Sequence, residues 1–141
     1  MTEPAIDIQR RIAAPPDIVF AYLVDPVKHA LWMGTEADLD PRPDGIHRVV
    51  VRPGVTAAGA FVTVEPPRRV VYSFGWEGHP DVPPGSSEVE ITLTPDGEGT
   101  LLRLVHRGLP AAEIHEHTQG WDHFTARLAV SAAGGDPGPD R

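Results

Sequence analysis

The sequence predicts an α+β fold: a curved antiparallel sheet wrapped around a long C-terminal helix, with two short helices after the first strand. Three observations predict it. Residues 35–107 divide into successive alternating segments separated by turns rich in Gly and Pro. Within one of them, residues 69–76, Val70, Tyr72, Phe74 and Trp76 share one face, while Arg69, Val71, Ser73 and Gly75 take the other. The last periodic segment, residues 111–132, then changes to helical spacing. There Ile114, Trp121 and Leu128 lie seven apart, and His117 and Phe124 complete the same stripe.

The elements follow in order. Ile6, Ile8 and Ile12 share a parity and mark the first strand, residues 6–12. Pro15-Pro16-Asp17 opens a helix, because proline is tolerated in a first turn and the acid faces the positive end of the helix dipole. Val19, Phe20 and Leu23 form its apolar stripe, and Asp25-Pro26 interrupts it before a second short helix at 26–32. Strands are expected at 35–40, 46–52, 58–65, 69–76, 87–94 and 100–107. The turns between them carry Pro43-Asp44-Gly45, Pro53-Gly54, Glu65-Pro66-Pro67-Arg68 and Pro95-Asp96-Gly97. Gly108-Leu109-Pro110 ends the sheet, and a helix over 111–132 would be roughly 33 Å long. Gly120 inside it costs about 1 kcal/mol relative to Ala, and leaves room beside Trp121 for a ligand or the sheet. One domain is expected over 1–133, with a disordered tail at 134–141.

Composition narrows the function classes. The chain has 141 residues, a net charge of −8 and no cysteine. The charge argues against nucleic acid and anionic membrane as partners. The missing thiols exclude disulfides, thiolate metal sites and a cysteine nucleophile. No stretch reaches signal-peptide or membrane-span character, so a soluble cytoplasmic protein is expected.

Several residue types invite a chemical reading. Tyr72, Phe74 and Trp76 on the strand form an aromatic wall, and Trp32, Trp121 and Phe124 are placed to close over it; the alternative is that these rings simply fill the core. His106 shares the inward parity of Leu102 and Leu104, and His117 sits on the stripe of Ile114 and Trp121. An imidazole there can serve as acid, base or hydrogen-bond partner to a ligand, or be a core histidine bonded to backbone. No metal is expected: His115 and His117, two apart, point about 200° away from each other on a helix, and no spacing resembles a zinc site. Glu36, Asp38 and Asp40 share a strand face that reads as solvated. No phosphate loop, dinucleotide fingerprint or nucleophile elbow occurs, and no cofactor is expected.

Four stretches carry a family resemblance: APPDIVFAYLVDP at 14–26 with Trp32 following, EPPRRVVYSF at 65–74, GEGTLLRLVHRGLP at 97–110, and HTQGWDHFTARL at 117–128. Together the chain resembles the SRPBCC (START-like, birch-pollen-allergen-like) superfamily. More narrowly, it is similar to bacterial stand-alone relatives of the C-terminal domain of the heat-shock-protein-ninety ATPase activator. The resemblance implies the helix-grip fold, often built around a hydrophobic cavity. It implies no single function, since relatives bind lipids, hormones or polyketides and some are cyclases. The chain has no room for the eukaryotic activator's additional N-terminal domain, which argues against direct chaperone activation.

The expected function is therefore binding of a small apolar or amphipathic ligand in a hydrophobic cavity lined by Trp32, Tyr72, Phe74, Trp76, His106, His117, Trp121 and Phe124. Two alternatives use the same fold. One is a cyclase- or hydrolase-like enzyme employing the cavity histidines. The other is a protein-interaction or co-chaperone-like module, including a homodimer.

Overall fold

A computed structural model describes residues 4–140 of the chain. The first strand, β1 (Pro4–Ile12), is followed by the helices α1 (Pro16–Val24) and α2 (Pro26–His29). Then come β2 (Glu36–Leu39), β3 (Ile46–Arg52), β4 (Val55–Glu65), β5 (Arg69–Phe74), β6 (Ser87–Asp96) and β7 (Gly99–Arg107). A single 3-10 turn, Ala111–Glu113, leads into α3 (Ile114–Ala132). The seven strands form one antiparallel sheet in the order β1-β7-β6-β5-β4-β3-β2. β1 therefore closes one edge beside the last strand, while β2–β4 curl away at the other. Register irregularities at Phe61/Thr63 and Val50/Arg52 sit where β4 and β3 bend, and such bulges increase local twist. The result is the helix-grip architecture.

Local chemistry explains the succession of short helices. The Asp25 carboxylate accepts from the amides of Val27 and Lys28 at 2.9 and 3.2 Å, and Pro26 begins the next turn. Asp25 thus ends α1 and caps α2 at once. α2 is shorter than the 26–32 expected, and the chain beyond it is held by long-range bonds instead. Trp32 donates its indole N–H to the Tyr22 carbonyl at 2.8 Å.

The core lies on the concave face of the sheet. Ile6 and Ile12 of β1, Val70, Tyr72 and Phe74 of β5, Val89, Ile91 and Leu93 of β6, and Leu102 and Leu104 of β7 are all buried there. From above, α1 adds Val19, Phe20 and Leu23, and α3 adds Trp121, Leu128 and Ala132. Alternation along β5 is incomplete, because Val71 on the opposite parity is also buried. α3 has 19 residues, about 28 Å; the first turn of the helix expected from 111 is the 3-10 turn.

Arg127 ties the helices together. Its guanidinium donates to the carbonyls of Trp32 at 3.0 Å and Leu31 at 3.4 Å on one side. On the other it reaches Pro137 at 3.3 Å and Gly138 at 2.8 Å. The segment 134–141, for which disorder is the expectation, makes these contacts up to Asp140, whose carboxylate meets His123 Nε2 at 2.8 Å.

Hydrogen bonds to a charged donor contribute about 1.5–3 kcal/mol each. Arg127→Met keeps the aliphatic stem and removes all four. It should lower the unfolding free energy by about 2 kcal/mol in urea denaturation; an unchanged midpoint would show that the clamp adds no stability.

Candidate functional site: a cleft between β5 and the long helix

Two Trp–His hydrogen bonds fix how α3 sits on the sheet. Trp121 on the helix donates its indole N–H to Nδ1 of His106 on β7 at 2.9 Å. His106 Nε2 lies 2.8 Å from the Ser87 hydroxyl, which donates onward to the Phe74 carbonyl at 2.8 Å. Since Nδ1 accepts, the ring proton of neutral His106 must sit on Nε2 and point to Ser87. The second bond runs the other way. Trp76, just past β5, donates to Nε2 of His117 on the helix at 2.9 Å. His117 Nδ1 then donates to the Glu113 carbonyl at 2.7 Å. Phe74 stands in the middle, its ring 5.3 Å from that of Trp76, 5.0 Å from His106 and 5.7 Å from Trp121.

Chemical consequences follow at once. His106 is fully buried, and desolvation, with the neighbouring His117 charge as a lesser cause, lowers its pKa to about 3. Its lone pair is already occupied by the Trp121 N–H, so His106 has no free site at which to take a proton. His117 is likewise committed at both nitrogens.

Beside this aromatic cluster opens a cavity of about 550 Å³. Its floor is Phe74 and Trp76, continued by Glu77, Gly78, His79 and Pro80. The end of β3 supplies Val51 and Arg52, the turn supplies Gly54, the start of β4 supplies Val55 and Thr56, and Met33 also lines the space. The roof is one face of the helical segment: Glu113, Glu116, His117, Gly120, Trp121 and Phe124, at the i, i+3, i+4, i+7 spacing of a single stripe. Gly120 is decisive there, since a Cβ built on it would meet no atom within 4 Å.

Gly75 matters for the opposite reason. A methyl group on it would collide with the Pro83 carbonyl oxygen, so the loop after β5 lies directly on its backbone. Trp76 belongs to that loop and not to β5, held by a bridge to Ala57 and by its amide bonding to Val82 at 2.7 Å.

Of the residues proposed from sequence, Phe74, Trp76, His117, Trp121 and Phe124 line the cavity, and Trp32, Tyr72 and His106 do not. His106 backs the wall through Trp121. Tyr72 stacks on His47 at 3.7 Å with 9° between the rings, and Trp32 packs on His29 at 4.6 Å. His29 and His47 are buried, and Nδ1 of the first and Nε2 of the second find no hydrogen-bond partner among the described residues. Burial lowers His29 to about 4 and His47 well below the usual imidazole value, the latter aided by the His29 charge; burial also raises the Tyr72 phenol.

Six polar residues of the cavity are not among the candidates from sequence: Arg52, Thr56, Glu77, His79, Glu113 and Glu116. His79 Nδ1 accepts from the amides of Asp81 and Val82 at 3.1 and 3.0 Å, leaving Nε2 to face the Glu113 carboxylate at 3.6 Å. Glu113 lies four residues before His117, a legible spacing, but the same spacing is common on solvated helices. Among the described residues no group of three or more His, Cys, Asp or Glu is arranged to hold a metal ion. No helix among them is long and apolar enough to cross a membrane.

The fold and cleft define a helix-grip protein with a side cavity. Residues 13–133 match the family of Activator of Hsp90 ATPase homolog 1-like proteins, and the chain belongs to that family, within the SRPBCC superfamily. It is similar to an AHSA1-like protein of Rhizobium etli solved in solution: 49% identity, 99% of this chain and 91% of that one covered, TM-score 0.73. It is also similar to CalU16 of Micromonospora echinospora, at 34% identity, 99% and 74% coverage and TM-score 0.79. DynU16, a protein of the dynemicin biosynthetic locus, matches at 28% identity and TM-score 0.81 over 94% of this chain, which spans only 48% of DynU16. An HSP90 activator of Plasmodium falciparum, at 20% identity and TM-score 0.75, shares the fold alone. No curated protein matches the chain.

The three buried histidines set a pH dependence. Their folded pKa values lie below the unfolded value near 6.5, so the unfolded chain binds more protons as pH falls from 6.5 toward 4. Stability is then full above pH 6.5 and declines below it, each histidine adding up to about 1.4 kcal/mol per pH unit. Urea denaturation between pH 7 and 5 should show this decline, and His47→Phe should make it shallower by about a third. Equal stability at pH 7 and 5 would contradict buried neutral rings.

Proposed function

We propose that this protein binds a small, largely apolar molecule in the cleft between Phe74 and Trp76 on one side and Gly120, Trp121 and Phe124 on the other. The unfilled space over Gly120, opposite two aromatic rings, carries the reading. A helix interior disfavours glycine by about 1 kcal/mol relative to alanine, and no close backbone contact requires it at 120. The cavity volume of about 550 Å³ falls within the ~300–1,000 Å³ typical of ligand sites. Binding would be driven by removal of apolar area from water, at about 25 cal/mol per Å². Phe74, Trp76, His117, Trp121 and Phe124 are the contact residues in this reading. Trp32, Tyr72 and His106 act behind the wall.

Binding is favoured over histidine-based catalysis by the hydrogen bonds themselves. His106 and His117 each spend their lone pair on an indole N–H, so neither is poised as a general base. The similarity to CalU16, DynU16 and the Rhizobium etli protein is consistent with the reading but selects no ligand, because one fold hosts many activities.

Gly120→Leu tests the proposal. The side chain would fill the cleft and add helix propensity, so stability should hold or rise by up to about 1 kcal/mol. Affinity for a neutral fluorescent probe such as N-phenylnaphthylamine should fall by a factor of ten or more. Undiminished probe binding in a folded Gly120→Leu protein would place the ligand elsewhere.

A further inference from the structure

The polar end of the cleft is chemically uneven. Glu77 lines it but is already paired with Arg48 through two bonds of 2.8 and 3.1 Å. His117 is spent on Trp76 and the Glu113 carbonyl. Glu113 differs from both. Its side chain is only 17% exposed, and no hydrogen bond reaches its carboxylate among the described residues; the nearest groups are His79 Nε2 at 3.6 Å and His117 Nδ1 at 4.0 Å. The proton-bearing His79 Nε2 faces this partly buried carboxylate from beyond hydrogen-bond distance, so a group that supplies a closer donor gains by it.

The neighbouring surface is aromatic. Glu113 stands one turn before His117, which receives the Trp76 indole N–H, so the carboxylate and the Trp76 ring border the same end of the cleft. An indole face attracts an organic cation, and a carboxylate beside it supplies charge and acceptor together. Other charged groups in the lining are Glu116 and Arg52, both exposed. Arg52 is the exposed last residue of β3, where water screens it.

Resting on the binding reading above, we infer that the cleft selects an apolar amine. The hydrocarbon body would lie between Trp76 and Trp121, and the ammonium group would donate to the Glu113 carboxylate.

Isothermal titration with the ethylamine, ethanol and acetic acid derivatives of naphthalene separates the outcomes. The amine should bind roughly tenfold tighter than the alcohol, the size expected of one charge-assisted hydrogen bond, and the acid weakest. Glu113→Gln should bring the amine-to-alcohol ratio close to one. Should that variant fail to fold, Glu113→Asp, which keeps the charge but draws the carboxylate back by one methylene, should lower the amine-to-alcohol ratio, and a ratio left unchanged in it overturns the inference.

An alcohol binding as tightly as the amine overturns the inference and leaves the apolar cleft standing. So does an acid that binds tightest, which would point to Arg52. A ratio that persists in folded Glu113→Gln attributes the preference to the overall negative charge, and also overturns it. If none of the three compounds binds, the cleft reading itself fails.

Discussion

Everything in the cleft depends on the hydrogen bond from Trp121 to His106. It joins the long helix to β7, the strand next to the β1 edge, through two buried groups that both lose their partner if it breaks. A buried indole N–H or imidazole nitrogen without a partner costs about 1–3 kcal/mol, more than a typical bond contributes net. The helix is thereby held to one rotation about its axis, since turning it would orphan both atoms. The Trp76–His117 bond enforces the same rotation from the opposite direction, with donor on the sheet side and acceptor on the helix. Ser87 and the Phe74 carbonyl complete the chain, so the strand carrying the cleft floor and the helix carrying its roof belong to one network.

With the rotation fixed, the stripe from Glu113 to Phe124 must face the sheet, and the side-chain sizes on it decide what lies beneath. Trp121 fills its share of the interface, whereas Gly120 fills nothing. The loop folded down on Gly75 brings Trp76 and His79 to the edge and keeps the space from collapsing into an ordinary core. The histidines, the chain's most obvious reactive groups, are here the fasteners of the wall. Family membership fits this division: the helix-grip frame is shared with proteins at 20–49% identity, and a shared frame does not fix an activity.

Much of the frame was legible because it rests on local periodicity. Alternation in β5, β6 and β7 found the buried face, and the heptad spacing of Ile114, Trp121 and Leu128 found the helix. Parity also turned His106 inward. What it lacked was depth: Tyr72 points inward as Phe74 does, yet its space is taken by His47 and Phe61 from β3 and β4. Those partners come from strands whose curl depends on bulges that alternation does not reveal. Trp76 kept the expected side but lost the strand, because the close approach at Gly75 ends regular pairing. His79 and Glu113 are 34 positions apart, and their meeting depends on an irregular loop for which no period exists.

The most direct test is a nitrogen-15 NMR measurement of the histidine tautomers. His106 should show a protonated Nε2 and a bare Nδ1 at pH 7, unchanged down to pH 5, and His117 at pH 7 should show the reverse assignment. A His106 ring protonated at Nδ1, averaging between tautomers, or charged at pH 6 would mean that Trp121 does not hold it, and the account of how the cleft is built would be wrong.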